Sequence, residues 1–189
     1  DGGYNVFIGN GQPLVVGTKT SPLIATASPT DPEKVEVAYR ASNGDTVIVG
    51  ESGFVGGKLG GLIQFRAESL TAAQNALGRV AIGLASTFNA QSQAGFDLNG
   101  AAGGAYFTVG APVVGANGTN TGSGTLTATI GNVNALTTSD YQLQYDGSNY
   151  TLTRLSDNST TTFASFPQTV DGVTLSLSGT PAAGDNFRI

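Results

Sequence analysis

The sequence predicts an α+β fold in which one long helix packs with β-hairpins and an all-β domain follows. Three patterns carry that prediction. Between Gly60 and Gly100, Ile63, Leu70, Leu77 and Leu84 recur every seven residues, with Ala73 and Val80 three or four positions from them and polar residues between, the stripe of an amphipathic helix. Before this stretch, short alternations of apolar and polar residues are separated by Gly-, Asn- and Pro-containing turns. After Gly124 the pattern is period two almost throughout, as in strands with one buried face.

Taken in order, Tyr4, Val6 and Ile8 alternate with Asn5 and Phe7, Asn10-Gly11 tolerates positive φ, and Leu14-Val15-Val16 returns, which predicts a β-hairpin. Ser21-Pro22, Ser28-Pro29 and Asp31-Pro32 exclude a regular helix and predict a loop or an edge strand. Val35, Val37 and Tyr39 alternate, Asn43-Gly44-Asp45 turns, and Thr46 to Val49 forms a further strand, making four before the helix. The helix is expected over 59–94, roughly 50 Å at about 1.5 Å per residue, with Gly95 in the left-handed C′ conformation. Burying its four stripe residues contributes roughly 6–12 kcal/mol at most, against roughly 2 kcal/mol lost through Gly78 and Gly83. Such a helix holds when docked and frays alone.

Beyond the helix, Phe96-Asp97-Leu98-Asn99-Gly100 predicts a turn that folds a hydrophobic pair back onto the last helical turn. From Ala101 to Gly124 only Tyr106-Phe107-Thr108-Val109 looks strand-like, and a domain boundary near Gly103 divides a mixed domain, 1–103, from a β domain, 104–189. In the second domain Leu126, Ala128 and Ile130 mark one strand, and Tyr141-Leu143-Tyr145 with Tyr150-Leu152 mark a hairpin turned by Asp146 to Asn149. Val173, Leu175 and Leu177 mark another strand and 185–189 a short last one. Six or so strands follow, with no repeat of fixed period.

The composition bounds function more tightly than fold. The 189 residues contain no His, Cys, Met or Trp, which excludes Ser–His and Cys–His catalysis and the soft metal ligands. A net charge of -5 with only 8 Lys and Arg offers no basic patch, so neither nucleic acid nor an anionic membrane surface is expected as a partner. The apolar run Val80 to Ala85 is too short to span a bilayer, and no secretory signal opens the chain.

Individual motifs yield structural readings. Gly57-Lys58 fails as a phosphate loop, because Ser52 stands where its first glycine belongs and Leu59 where its hydroxyl residue belongs. Gly9-Asn10-Gly11 lacks the third glycine of a dinucleotide fingerprint, Leu14 taking that place. Asp97-Leu98-Asn99-Gly100 resembles the opening of a calcium loop, but the next acidic residue is Asp140. Asp31, Glu33 and Glu36, or Asp45 with Glu51, could form the acid pair of a glycosidase, yet no aromatic sugar platform lies near them in sequence. The Asn-x-Thr triplets at Asn117, Asn149 and Asn158 are expected by chance in an Asn/Thr-rich chain. Tyr141, Tyr145 and Tyr150 form either a half-buried cross-strand cluster or the surface groove of a glycan-binding or adhesive β module. No catalytic, cofactor-binding or metal-binding residue is assigned, and no small-molecule substrate is expected.

Gly57-Lys58-Leu59-Gly60-Gly61-Leu62-Ile63 with Arg66, then Leu77, Ala81 and Asn89, and Gly95 to Gly100 with Gly103 and Phe107, resemble the central segment of the flagellar hook-associated protein 1 family, the hook–filament junction proteins. The stretch Ile8 to Gly17 resembles that family's hairpin before the helix, and Ala183 to Ile189 the end of its outer β domain. The resemblance implies a non-enzymatic structural subunit of the bacterial flagellum, extracellular and exported through the type III channel without a cleaved secretory signal. Its partners would be copies of itself and neighbouring hook and filament-junction proteins. It further implies that helices from the terminal regions of the longer protein cover the stripe Ile63, Leu70, Leu77 and Leu84, so that this chain is a central fragment. A chain without disulfides suits passage through an export channel in an unfolded state.

Overall fold

The computed structural model describes every residue except 1–3, 9, 10, 32, 33 and 42, together with the side chain of Ser52. Gly9 and Asn10 of the first turn, Pro32, and the candidate acid Glu33 therefore lie outside the described residues. One long helical stretch and many antiparallel strands in several sheets make the fold α+β, as the sequence predicts. The chain divides into two compact units, Asp1–Thr71 and Ala72–Ile189.

Among the described residues the first unit holds six strands rather than four. β1 (Val6–Ile8), β2 (Gln12–Val16) and β3 (Lys19–Thr20) form one antiparallel sheet in that order. Gly11, at φ +88°, donates to the Ile8 carbonyl at 2.8 Å and closes the first hairpin. β4 (Leu23–Ala27), β5 (Val35–Arg40) and β6 (Thr46–Ile48) form a second sheet, with β4 on its edge. Pro22 and Pro29 bracket β4 rather than interrupt it, and the Pro22 carbonyl accepts from Arg40 N–H at 3.1 Å.

The helix opens at Gly57, two residues before the predicted start, because Gly56 and Gly57 adopt φ of +82° and +65° and turn the chain into it. It runs as α1 (Gly57–Phe65), a π turn (Arg66–Leu70) and α2 (Thr71–Gln93). At the π turn the Thr71 N–H and its hydroxyl, the latter at 3.0 Å, both donate to the Arg66 carbonyl. Gly95 is not left-handed, contrary to the sequence expectation. Its carbonyl instead accepts from Gly103 N–H at 2.9 Å, and Phe96 bridges Ala102, so the chain leaves the helix as a narrow antiparallel loop.

The second unit builds a β-sandwich. β7 (Gly115–Ala116), β9 (Tyr141–Tyr145), β10 (Tyr150–Arg154), β11 (Thr160–Phe163) and β14 (Asn186–Arg188) form a five-stranded antiparallel sheet of order β11-β10-β9-β14-β7. β8 (Thr125–Ile130), β12 (Gln168–Val170) and β13 (Val173–Ser178) form the facing sheet, order β12-β13-β8. Leu126, Ala128 and Leu175 from one sheet pack against Tyr141, Leu143, Leu152 and Phe187 from the other. The predicted strand at Tyr106 to Val109 does not form, because those backbone groups bond to a helix side chain instead.

The Asn/Gly-rich run before β8 is held closely. Asn120 Nδ2 and Oδ1 bond the Asn186 carbonyl and N–H, each at 2.9 Å, like one rung of a sheet. The buried Asp185 accepts N–H bonds from Ala182 at 2.9 Å, Thr121 at 2.8 Å and Gly122 at 3.0 Å. A Cβ on Gly122 would lie 2.3 Å from Ala182 N, so only glycine fits there. The bond from Ala182, followed by those from Thr121 and Gly122, outweighs burial and holds the Asp185 carboxyl below the usual carboxylate range.

A carboxyl depressed on folding stabilises the native state above its unfolded pKa, near ~3.9, and loses that contribution as the pH falls through its folded value. Asp185→Asn is accordingly expected to be less stable than the parent chain at pH 7, with the gap closing below about pH 4. Urea denaturation at both pH values checks this, and a gap independent of pH would contradict it.

Candidate functional site

The long helix carries the four stripe residues, Ile63, Leu70, Leu77 and Leu84. In the first unit, Arg66 Nη1 donates to the Val35 carbonyl at 2.7 Å and Nη2 to Glu51 Oε1 at 2.9 Å, while Lys34 Nζ pairs with the same Glu51 oxygen at 2.8 Å. Burial works to raise the Glu51 carboxyl, but hydrogen bonds and charge from Lys34 and Arg66 hold it below the usual range. Glu51, one of the candidate acids, thus serves as a clamp between the β4–β6 region and the helix. Asp45 accepts from Asn43 Nδ2 at 2.6 Å in the turn between β5 and β6. Ile63 is half-buried and Leu70 exposed, with the π turn between them displacing the 3.6-residue spacing.

In the second unit the helix contacts its own chain through amide and small residues. Asn75, Gly78, Ile82, Ala85, Asn89 and Ser92, at alternating spacings of three and four, form its half-buried face. Asn75 Nδ2 donates to Asp140 Oδ1 at 2.7 Å and to the Thr138 carbonyl at 3.1 Å, and Arg188 holds the other Asp140 oxygen at 2.9 Å. Asn89 Oδ1 accepts the N–H groups of Tyr106 and Phe107 at 2.7 and 2.8 Å, and its Nδ2 donates to the Phe107 carbonyl at 2.8 Å. Ser92 Oγ donates to the Gly104 carbonyl at 2.9 Å, and a Cβ on Gly103 would fall 2.0 Å from the Ser92 carbonyl oxygen. The small residues of 100–104, Gly-Ala-Ala-Gly-Gly, let the chain lie directly against the helix.

The large apolar side chains occupy the other side. Leu77 is 71% exposed, Val80 and Leu84 are each 67% exposed, and Phe88 is exposed while touching Tyr106 and Phe107 edge-on with ring centroids 5.5 and 5.4 Å away. Two grooves flank this face. One of about 370 Å³ runs between Ala81, Leu84 and Ala85 and the segment Phe107 to Gly110. Another of about 470 Å³ runs between Ala76, Arg79, Val80 and Gly83 and the residues Val133 and Asn134 of a short helical turn, with Thr138.

The turn after the helix forms as predicted, but its apolar pair does not fold back. Phe96 is 76% exposed and Leu98 is fully so. Asp97 Oδ1 accepts from the N–H groups of Asn99 and Ala101, each at 2.8 Å, so the aspartate shapes the turn. Among the described residues, no group of three or more acidic side chains could hold a metal ion, and no helix is long and apolar enough to cross a membrane.

The structure separates the three tyrosines. Tyr141 is buried, donating to Asp171 Oδ2 at 2.6 Å and lying 2.6 Å from the Thr137 hydroxyl, while Arg154 Nη2 grips the same Asp171 oxygen at 2.6 Å. Burial, then the bond to Asp171, raises its phenol pKa. Tyr145 and Tyr150 stack across the hairpin at 4.5 Å, and Phe166 closes on Tyr150 edge-on at 4.8 Å.

Comparison with known proteins fits this geometry. The family described as the flagellar hook-associated protein FlgK helical domain matches residues 1–107, and the flagellar hook-associated protein 1 D2-like domain matches residues 115–189. The chain belongs to the flagellar hook-associated protein 1 family. It is 37% identical over 193 residues to flagellar hook-associated protein 1 of Escherichia coli K12, covering all of this chain and 35% of that protein. The protein of the same name from Salmonella typhimurium is 34% identical over 194 residues, again across the whole chain and 35% of the relative. The solved flagellar hook junction protein FlgK of Burkholderia pseudomallei superposes with a TM-score of 0.90 at 43% identity, covering 98% of this chain and 35% of that one. The chain thus spans about a third of the length of its family relatives.

Sequence reasoning missed Asn75 and Ser92, and named Asn89 only among the residues of the family resemblance, without its contact. Their spacing was visible, but nothing in a polar helix face distinguishes amides that bond backbone from amides that face water. Asn89→Ala removes three bonds to the Tyr106–Phe107 backbone and is expected to speed hydrogen exchange at those two amides by about tenfold, for about 1.4 kcal/mol lost. Unchanged protection would contradict that anchoring role.

Proposed function

We propose that this chain is the central part of a non-catalytic structural subunit that joins hook to filament in the bacterial flagellum. Membership of the hook-associated protein 1 family, together with a helix whose leucines its own chain leaves uncovered, carries the reading. On this proposal residues 1–103 form the inner mixed domain and 104–189 the outer β domain, a division that the family matches on either side of 107 and 115 support. The partners are copies of the same protein and neighbouring hook and filament-junction proteins, outside the cell, after type III export. The absence of cysteine suits that route. Ile63, Leu70, Leu77 and Leu84 provide the packing stripe, filled by helical segments of the longer protein.

Physical considerations favour burial of that stripe in use. A fully buried Leu or Ile is worth roughly 1.5–3 kcal/mol relative to an exposed one. A contiguous exposed apolar face on a soluble protein marks an interaction site. Tyr145 and Tyr150 stack on one another beside Phe166, which lends the glycan-binding alternative no separate support.

Leu77→Asp placed in the full-length protein buries an unpaired charge at a cost of several kcal/mol. Leu70→Asp does the same one heptad earlier. Both variants are expected to be exported and to leave a host lacking the native protein without filaments. Wild-type filament formation by both would refute the stripe's role.

A further inference from the structure

We infer that the Asp97-Leu98 turn is a docking knob for a second copy of this chain, received by the groove that Arg79 lines. The inference rests on the reading of the chain as an assembly subunit, and it names a contact within that assembly.

The observation that carries it is electrostatic. Between Ala72 and Ser139 the chain has two charged residues, Arg79 and Asp97. The other arginines of this unit are engaged, Arg154 with Asp157 and Asp171, and Arg188 with Asp140. Among the described residues Arg79 has no ion pair or hydrogen bond, and no cation of its own chain pairs with Asp97. Arg79 stands fourteen residues, about 21 Å of helix axis, before the helix end at Gln93, and Asp97 lies in the turn beyond, so they cannot neutralise each other within one copy. Asp140 and Asp171 line a cavity with Arg79, but each is held by its own arginine, so Arg79 is left as the unpaired cation there. An unpaired cation and an unpaired anion on one surface are complementary to a second copy displaced by that distance.

The two sites also match in shape and apolar character. Leu98 projects fully into solvent from a turn whose backbone is fixed: Asp97 N–H donates to the Ala101 carbonyl at 2.8 Å, and Gly100 N–H to the Asp97 carbonyl at 3.0 Å. Bonds from Ala101 and Asn99 hold the Asp97 carboxyl below the usual range, so it stays ionised. A prefixed turn loses little freedom on docking. Arg79 stands in a groove of about 470 Å³ beside Val80, Ala76, Gly83 and Val133, which offers Leu98 an apolar seat next to a cation for Asp97. Because knob and groove are different patches of one molecule, the contact is head-to-tail and extends to a closed ring or an open helix.

The test places Ala76→Cys and Leu98→Cys together in the full-length protein, any cysteine elsewhere changed to serine. Ala76 lines the Arg79 groove, both positions are exposed in this chain, and neither belongs to the leucine stripe. Purified concentrated protein and isolated flagella are oxidised and run on a denaturing gel. A ladder of dimers, trimers and larger species is expected with both cysteines and none with either alone. Adding Asp97→Asn, which keeps an acceptor for the turn, or Arg79→Gln is expected to lower the ladder about fivefold. No cross-link in either preparation, or dimers as abundant with a single cysteine, would overturn the contact. Filament rescue by the wild-type gene judges the junction role separately, so a ladder without rescue keeps this contact and rejects that role.

Discussion

Everything in this structure depends on which side of the α2 helix the chain covers for itself. It covers the side of Asn75, Asn89 and Ser92, with hydrogen bonds to backbone and to Asp140, and leaves Leu77, Val80 and Leu84 in solvent. Hydrogen bonds of this kind contribute about 1 kcal/mol each but fix direction and register. Apolar burial is larger and carries no direction. The division gives orientation to the intramolecular contacts and, on the proposed reading, leaves the exposed leucines for an assembly contact to bury.

The β-sandwich answers to different constraints. Its core closes on itself through Leu143, Leu152, Leu175 and Phe187, and its cations are matched by neighbouring carboxylates. Asp185 and Asn120 take over the role that strand pairing plays elsewhere, stitching an irregular Gly- and Asn-rich segment to β14. Such a domain can project from an assembly without needing a partner for its stability. The helix differs, since its leucines find no cover within the second unit.

Legibility in the sequence followed the strength of the local signal. The heptad of large apolar residues announced the helix, and the Asn-Gly and Asp-Gly turns announced the hairpins. β11 and β12 were missed because Thr160 to Thr162 carry no apolar alternation and Gln168–Val170 is only three residues long. Tyr106 to Val109 reads as a strand by propensity, but Asn89 captures its N–H groups, so a tertiary hydrogen bond overrode the local preference. The C′ role given to Gly95 failed because a glycine after a helix can equally mark close approach of the returning chain, and at Gly103 it does. Nothing in the spacing foretold the π turn, which Thr71 closes on the Arg66 carbonyl, or the grip of Arg66 on Glu51, a contact fifteen residues away in sequence. Asp97 and Leu98 were legible as a turn, while their exposure became visible only in three dimensions.

The measurement that bears most directly on the central claim is side-chain footprinting by hydroxyl radicals. Leu77, Val80 and Leu84 would be compared in this chain alone and in the full-length protein within isolated hook–filament junctions. The account predicts strong labelling of all three in the free chain and strong protection in the junction, with Leu143 protected in both. Equal labelling of the three residues in both preparations would contradict it.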